Sequence, residues 1–501
     1  MSNPPAHRRP QSTQNTQSAH TIRSARSVAQ HAGHAQPRRN RDKNKTPEPL
    51  QLTTSAQKRS PSPTLEINEA IAARRAAGHD VLHLGFGEAT LPLHPKLREA
   101  LAQAATQTGY APVQGIPALR AAIADYLGRE RGLTYDAEQI IVGPGSKPLL
   151  YALLQILDGD VLIPRPSWVS YAPHARLAGR QVIGVETDER DHHTLTPQAL
   201  AAAFTRAQHN GANPRVLVVN TPSNPTGGMF SREDAEALAD WAKHKGVTIV
   251  SDEIYAELAH GWRPHVSPAM FYPEGTIVTG GLSKGFAAGG WRLGYAALPR
   301  RESGKQLMAA LRALASEVWS AASAPIQEAA VIAYTPDDDL RAYLRRSARL
   351  YGYVTNRLHA ALERAGLRCA RPAGAFYLYP DFTPLRAALV DQGVMTSVDL
   401  ARRLLDRYDI ATLPGVAFGE RPETLRLRLA TSMFFAQPSQ TAEEREAALW
   451  SLLARADTLP EGDSDATPDL LDALPELARA EQRLAACIAE LNRPHPQPPL
   501  P

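Results

Sequence analysis

Short apolar runs alternate with Ala- and Leu-rich helical stretches over the middle of the chain. Continuous apolar runs are typical of strands buried on both faces, and helices between such strands cover the two faces of the sheet. The predicted strands are Ile140–Val142, Val161–Ile163, Val182–Val185, Val216–Val219, Val247–Val250 and Ile277–Val278. The pattern therefore predicts an α/β fold with a mainly parallel sheet.

A smaller α/β stretch follows residue 345. Its strand-like segments are Ala375–Leu378 and Leu425–Leu429, and the mostly apolar run Val81–Leu84 resembles them. A helix is predicted from apolar residues at helical spacing, namely Leu350, Val354, Leu358 and Leu362. We expect residues 60–105 and 346–455 to form a small domain beside a large domain of residues 106–345.

The N-terminal residues have a different composition from the rest of the chain. Residues 1–60 hold 11 Lys and Arg against Asp42 and Glu48, a local charge of +9, whereas the whole chain carries +4. Because no apolar periodicity accompanies this charge, we expect residues 1–59 to be a disordered basic tail. An Arg- and Ser-rich start is also typical of organelle transit peptides, and a basic arm can contact nucleic acid.

The C-terminal residues 456–501 predict an appended amphipathic helix and a Pro-rich end, HPQPPLP. The apolar positions of this helix are Leu470, Leu471, Leu474, Leu477, Leu484, Ile488 and Leu491. We interpret the segment as packing surface rather than as part of an active site.

Composition excludes several classes of protein. Cys369 and Cys487 are too few for a disulfide framework, which favours a reducing compartment. No apolar run reaches the roughly 18 residues that a membrane-spanning helix needs. The 501 residues are enough for a hydrophobic core that folds without disulfide bonds or structural metal ions. We expect a cytoplasmic protein without a membrane anchor, with organelle import through the tail as the alternative.

Polar residues follow the predicted strands at equal intervals. Asn220, Asp252 and Lys284 are each 32 residues apart. Ligands of open α/β sheets bind at the carboxyl ends of strands, so these side chains are candidates for one site. A lysine that leaves a buried strand is desolvated, which lowers its pKa and suits it to Schiff-base chemistry.

Three segments together resemble the class I/II aminotransferases, the pyridoxal-phosphate enzymes similar to aspartate aminotransferase. They are Ser283-Lys284 followed by Gly290 and Arg292 in GGLSKGFAAGGWRLGY, NTPSNPTGG at 220–228, and SDEIY at 251–255. The resemblance runs from about Ser60 to residue 455. It implies a fold-type I enzyme with a seven-stranded sheet, pyridoxal 5'-phosphate as cofactor and no metal.

The resemblance assigns the chemistry of the cofactor to particular residues. Lys284 would hold it as an internal aldimine and move the proton at the substrate α-carbon. Asp252 would pair with the pyridine nitrogen, while Tyr255 and Asn224 would bind the phenolic oxygen. Trp168, in RPSWVSY, would stack on the cofactor ring.

The cofactor phosphate needs hydrogen-bond donors, and GPGSKPLL at 143–150 places a glycine turn before a predicted helix at Leu149–Leu157. By resemblance the phosphate is bound by Gly145, Ser146, Lys147, Ser283 and Arg292. Tyr110 resembles the tyrosine that reaches the phosphate in the neighbouring subunit. The resemblance therefore implies a homodimer.

Substrate recognition is implied at four positions. In LRLRLATS, Arg426 matches the arginine that binds the substrate α-carboxylate, and Gly87 matches a glycine whose backbone approaches the substrate, beside Trp168 and Asn224. Strand alternation puts Arg428 on the same face as Arg426, and the register of the motif favours Arg426. The segment GEATL departs from the family at residues 89–91, so the substrate side chain stays open.

We therefore expect a dimeric aminotransferase that moves the amino group of an L-amino acid to a 2-oxo acid. One alternative is a pyridoxal-phosphate lyase, cyclase or decarboxylase, because the fold does not select among these reactions. A second is a ligand-sensing transcription regulator with an aminotransferase-like domain. That alternative needs a helix-turn-helix module, for which residues 1–60 lack the apolar positions.

Overall fold

A computed structural model describes residues 50, 52–53, 62–261, 263–435, 441–459 and 474–493. The chain divides into two units, Met1–Arg59 and Ser60–Pro501. Most of the predicted basic tail, Leu470, Leu471 and the Pro-rich end lie outside the described residues. No helix among the residues described is long and apolar enough to cross a membrane.

Helices and strands alternate along the second unit. The helices are α1 (Pro63–Ala76), α2 (Pro95–Ala104), α3 (Pro117–Arg131), α4 (Ser146–Ile156), α5 (Tyr171–Leu177), α6 (Pro197–His209), α7 (Arg232–Lys245), α8 (Glu302–Val318), α9 (Ala324–Tyr334), α10 (Asp338–Arg364), α11 (Arg386–Asp391), α12 (Ser397–Tyr408), α13 (Ala442–Arg455) and α14 (Pro475–Leu491). The strands are β1 (Leu82–His83), β2 (Ile140–Gly143), β3 (Asp160–Arg165), β4 (Val182–Glu186), β5 (Pro214–Asn220), β6 (Thr248–Asp252), β7 (Thr276–Gly281), β8 (Gly294–Ala297), β9 (Tyr377–Leu378), β10 (Ile410–Ala411), β11 (Leu413–Pro414) and β12 (Leu427–Ala430).

The main sheet has seven strands among the described residues, in the order β2-β8-β7-β6-β5-β3-β4. All neighbours are parallel except that β8 runs antiparallel to β2 and to β7. The predicted mainly parallel sheet and the α/β class are thus confirmed. The sequence pattern missed β8, because Gly294–Ala297 is short and has no run of β-branched or large aliphatic residues.

Both faces of the sheet are buried, as the continuous apolar runs predict. In β5, Val216 and Val218 pack into one core with α4, α5 and α8, while Leu217 and Val219 pack into another with α6 and α7. Strands covered in this way cannot slip by one residue without exchanging both faces. The register that results pairs Asn220 with Asp252, and Asp252 with Thr279.

A further core joins the two ends of the second unit. Residues of the 82–91 segment pack with α10, β9, β12 and α14. By contrast, Leu97 of α2 lies in the core of α3 and α9. We therefore propose that the described residues within 62–94 and 346–491 form a small lobe and those within 95–345 a large lobe. The first boundary then lies after residue 94 and not after residue 105.

Helix α14 completes the core of the small lobe. Its buried residues are Leu477, Ala480, Leu484, Cys487, Ile488 and Leu491. Arg483 donates to the carbonyl oxygens of Asp80 at 3.0 Å, Tyr408 at 2.5 Å and Asp409 at 3.2 Å. The predicted packing role of the amphipathic segment agrees with these contacts.

Candidate active site

A cavity of about 430 Å³ lies at the carboxyl ends of β5, β6 and β7, where segments of the small lobe meet the sheet. Most of the predicted site residues line it: Gly87, Ser146, Lys147, Trp168, Asn224, Asp252, Tyr255, Ser283, Lys284 and Arg292. The evenly spaced polar residues Asn220, Asp252 and Lys284 all line this cavity. They share one site because β5, β6 and β7, which they end or follow, are neighbours in the sheet.

The amine of Lys284 faces this cavity, and the residue is partly buried. Its Nζ donates to the carbonyl oxygen of Gly87 at 2.5 Å and lies 5.5 Å from the ring centre of Tyr255 and 5.7 Å from that of Phe376. Burial lowers the pKa of Lys284 to about 8, against an opposing effect of Glu88. An amine with this pKa is partly neutral at physiological pH and can attack a carbonyl carbon.

Asp252 ends β6 at the floor of the cavity and is 3% exposed. Its carboxylate accepts hydrogen bonds from the hydroxyls of Tyr171, at 2.7 Å, and Thr279, at 3.2 Å. Burial raises the pKa of Asp252 to about 6, although these hydroxyls oppose the rise. Because both donors are neutral, a cationic group of a ligand would be the favourable partner for this carboxylate.

Asn224 and Tyr255 are held by the backbone and by a second tyrosine. The amide N–H of Asn224 donates to Asn220 Oδ1 at 2.7 Å, and Asn220 Nδ2 donates to the carbonyl oxygen of Asp252 at 2.7 Å. The Tyr255 hydroxyl lies 2.7 Å from that of Tyr377. The Asn224 backbone and the Tyr255 hydroxyl thus each have a partner within the protein.

The N-terminus of α4 opens on the cavity beside two cationic side chains. Gly145 precedes the helix with φ +97°, and a Cβ there would lie 2.5 Å from Arg292 Nη2. Arg292 itself adopts φ +53°, and its Nη1 donates to the carbonyl oxygen of Gly289 at 2.9 Å. Lys147 Nζ stands 5.0 Å from the ring centre of Trp168. Helix N–H groups, an arginine and a lysine together favour a phosphate.

The structure corrects the prediction for Arg426. This side chain lies outside the lining of the cavity and is paired with Glu420 at 2.8 Å, Glu189 at 3.2 Å and Asp381 at 3.7 Å. Its charge is therefore compensated by carboxylates of its own chain. The register of the motif, which favours Arg426 in the sequence, thus selects an arginine that does not line the cavity.

Of the two arginines in the LRLRLATS segment, Arg428 is the one that lines the cavity. It is 2% exposed, and it donates to the carbonyl oxygen of Gly85 at 2.6 Å and to Asn224 Oδ1 at 3.4 Å. Its Nε has no hydrogen-bond partner among the described residues. Since both partners are neutral oxygens, they do not compensate the positive charge of this guanidinium, which can therefore pair with an anionic ligand.

Several lining residues were missed by the sequence analysis. Tyr171 lies three residues after Trp168, and Tyr377 lies in the predicted strand 375–378, but neither carries a signal in the residue pattern. The same cavity is lined by Ser62, Thr64, Leu65, Phe86, Glu88 and Ile254. Tyr110, which the sequence assigns to a neighbouring subunit, is 98% exposed.

Comparisons with known proteins agree with the resemblance in the sequence. Residues 79–433 match the family described as aminotransferase class I and II. The chain is 36% identical over 395 residues to an aspartate aminotransferase of Geobacillus stearothermophilus, which covers 77% of this chain and 95% of that protein. It is 35% identical to an aspartate/prephenate aminotransferase of Thermus thermophilus, covering 76% and 94%.

A solved structure shows the same fold. Aspartate aminotransferase from Thermus thermophilus with maleate superimposes with a TM-score of 0.69 at 33% identity. The match covers 81% of this chain and the whole of that one. Helix α14 lies beyond the residues that match the family.

The pKa of Lys284 yields a prediction for the protein freed of any bound ligand. We expect acylation of Lys284 by a small anhydride to rise with pH and to reach half its maximal rate near pH 8, because the neutral amine is the nucleophile. Mass spectrometry of the digested protein measures this rate at each lysine. Lys96 is the internal control, because Asp337 and Asp339 raise its pKa. Equal midpoints for the two lysines would contradict the assignment.

Proposed function

Because this chain belongs to the class I and II aminotransferases and is a pyridoxal-phosphate-dependent transaminase, we propose that L-aspartate is its amino donor and a 2-oxo acid its acceptor. The observation that carries the proposal is the Lys284 amine, which faces the cavity together with the carboxylate of Asp252 and the guanidinium of Arg428. An amine nucleophile, an acceptor for a cation and a binder for an anion are what the reaction requires.

The cavity fits the cofactor. Pyridoxal phosphate supplies an electrophilic carbonyl carbon and an electron sink for the substrate α-carbon. The α4 N-terminus and Arg292 offer a place for its phosphate, and the buried Asp252 offers one for its ring nitrogen. A ring held between them would face Trp168, which also lines the cavity.

Each side chain then has a task that its position supports. Lys284 Nζ binds the cofactor and moves the proton at the substrate α-carbon. The Asp252 carboxylate accepts the N–H of the cofactor ring, so burial of that charge is compensated. Tyr255 and Asn224 donate to the phenolic oxygen, and Trp168 stacks on the ring.

The phosphate is held by groups of two chain segments. Backbone N–H groups and hydroxyls come from Gly145, Ser146 and Ser283, while Lys147 and Arg292 add charge. Burial and Arg292 lower the pKa of Lys147, so a nearby dianion would favour its charged form.

Arg428 is the proposed partner of the substrate α-carboxylate. Its fork geometry permits two parallel hydrogen bonds, which a lysine cannot reproduce. The Gly87 backbone also lines the cavity, and a Cβ there would fall 2.1 Å from the Tyr377 hydroxyl. Glycine therefore keeps the space in which substrate and Lys284 meet.

The relatives support aspartate as the donor. Similar proteins from two organisms are named for aspartate, and the solved Thermus thermophilus structure holds maleate, a four-carbon dicarboxylate. The cavity of this chain is lined by the cationic side chains of Lys147, Lys284, Arg292 and Arg428, against the acidic Glu88 and Asp252. Such an excess of positive charge favours anionic ligands.

A homodimer is proposed on the exposure of Tyr110. An aromatic side chain that is 98% exposed contributes nothing to the packing of its own protomer. At a two-fold interface it would reach the phosphate in the partner's cavity. We further propose a cytoplasmic location, in keeping with the free, buried thiols of Cys369 and Cys487.

The donor is tested by single-turnover reactions without an acceptor. The loaded enzyme is mixed with L-aspartate, L-glutamate, L-asparagine, L-phenylalanine or L-leucine, and the cofactor absorbance is followed. L-aspartate should react fastest, by about tenfold or more over L-phenylalanine, and yield one oxaloacetate per site. Lys284→Ala, the matched control, should not react. A faster reaction with another amino acid would replace aspartate as the donor.

The two arginines of the same segment give a matched pair of variants. Arg428→Lys should lower kcat/KM for the amino acid by about 10- to 100-fold, because one of two charge-assisted hydrogen bonds is lost. Arg426→Lys should lower stability instead and leave kcat/KM little changed, since Arg426 pairs with carboxylates outside the cavity. Steady-state kinetics and urea unfolding of both variants measure this. The reverse order of effects on kcat/KM would restore Arg426 as the carboxylate partner.

Mixed dimers test the role of Tyr110. Tyr110→Ala and Lys284→Ala chains are co-expressed with different tags, and the dimer carrying both tags is purified. If Tyr110 acts in the partner's site, this dimer has one site with Lys284 and Tyr110 both intact, and its activity exceeds that of either homodimer. If Tyr110 acts within its own protomer, the mixed dimer shows no more than half the activity of the Tyr110→Ala homodimer.

A further inference from the structure

Two buried tyrosine hydroxyls meet at the wall of the cavity. The Tyr255 and Tyr377 oxygens are 2.7 Å apart, and the side chains are 4% and 1% exposed. Tyr255 follows β6 of the large lobe, whereas Tyr377 belongs to β9 of the small lobe. Their rings pack edge to face with centres 5.6 Å apart, which fixes the geometry of the hydrogen bond.

The neighbours of Tyr377 decide the direction of that hydrogen bond. The Tyr377 hydroxyl is also 3.5 Å from the carbonyl oxygen of Gly87, which accepts from Lys284 Nζ. A carbonyl has no proton to give, so Tyr377 is the donor there. Each hydroxyl carries one proton, so when Tyr377 donates to Gly87 it is Tyr255 that donates to Tyr377. The order is Tyr255 to Tyr377 to Gly87.

A ligand oxygen beside Tyr255 would reverse this order. If Tyr255 donates its proton to that oxygen, its own oxygen is free to accept, and Tyr377 lies at hydrogen-bond distance to donate to it. Hydrogen bonds in such a chain polarise one another, so the second bond strengthens the first. The guanidinium of Arg428, 5.0 Å from the ring centre of Tyr377, makes this phenol a better donor.

We propose that Tyr377 is a positioning residue that strengthens the hydrogen bond from Tyr255 to the phenolic oxygen of the bound cofactor. The inference rests on the proposed function, because it assumes that this oxygen lies beside Tyr255. Tyr377 acts through Tyr255 and does not itself touch the cofactor. Its hydroxyl thereby favours the anionic form of the phenolic oxygen.

The test is a pH titration of the visible absorbance of the loaded enzyme. Tyr377→Phe keeps the ring, and with it the contact to Arg428, but removes the hydroxyl. The midpoint of the absorbance change should rise by about half a pH unit, a fraction of the effect of one charged hydrogen bond. Tyr255→Phe should raise it by about one to two units.

A double variant separates positioning from a direct effect. If Tyr377 acts through Tyr255, Tyr255→Phe/Tyr377→Phe has the midpoint of Tyr255→Phe alone, because no phenol is left to strengthen. Additive shifts would overturn the proposal, as would a Tyr377→Phe midpoint equal to that of the wild type.

Tyr379→Phe is the matched control. Tyr379 is equally buried and lies two residues along the chain, but its hydroxyl donates to Glu420 at 2.7 Å, outside the lining of the cavity. Its removal should leave the midpoint unchanged, and an equal shift here would overturn the proposal. A wild-type chain that binds no cofactor and shows no visible band would refute the proposed function and this inference with it, whereas normal loading with an unshifted Tyr377→Phe refutes the inference alone.

Discussion

Withdrawal of the Lys284 amine from water is the constraint around which the two lobes are arranged. An ammonium in such a place is costly, and its pKa falls until the neutral form is accessible. The carbonyl oxygen of Gly87, from the small lobe, accepts a hydrogen bond from the Lys284 amine. Contact between the lobes therefore both desolvates the nucleophile and orients it.

The sheet positions the remaining large-lobe groups because its strands are in fixed register. Asn220, Asp252 and Thr279 are neighbours across β5, β6 and β7, and the Thr279 hydroxyl donates to the Asp252 carboxylate. The side-chain amide of Asn220 donates to the backbone of Asp252, which links the strand ends directly. Burial of both sheet faces thus controls a detail of the site, the direction in which Asp252 points.

What the sequence could predict follows from this register. Equal spacing of polar residues after apolar runs was enough to bring Asp252 and Lys284 together. The choice between Arg426 and Arg428 was not predictable from the local pattern, since Arg426 pairs with Glu189 of a distant segment as well as with Glu420, six residues before it. Tyr377 was missed for the same reason, because its hydroxyl acquires a partner through packing between lobes. The local pattern of apolar and polar residues predicts helices and strands. The partners of a buried charged side chain depend on tertiary contacts, which the local pattern does not contain.

The same reasoning explains why a segment beyond the matched family residues can matter to the cavity. Helix α14 contributes apolar residues to the small-lobe core, and Arg483 joins the carbonyl oxygens of Asp80 and Asp409. These residues precede or adjoin β1 and β10, which pair with each other in parallel. Strand β1 leads directly to Gly85, whose carbonyl oxygen holds Arg428, and to Gly87, whose carbonyl oxygen holds Lys284. Helix α14 thus holds the start of β1, and through it the segment that carries the carbonyl oxygens of Gly85 and Gly87.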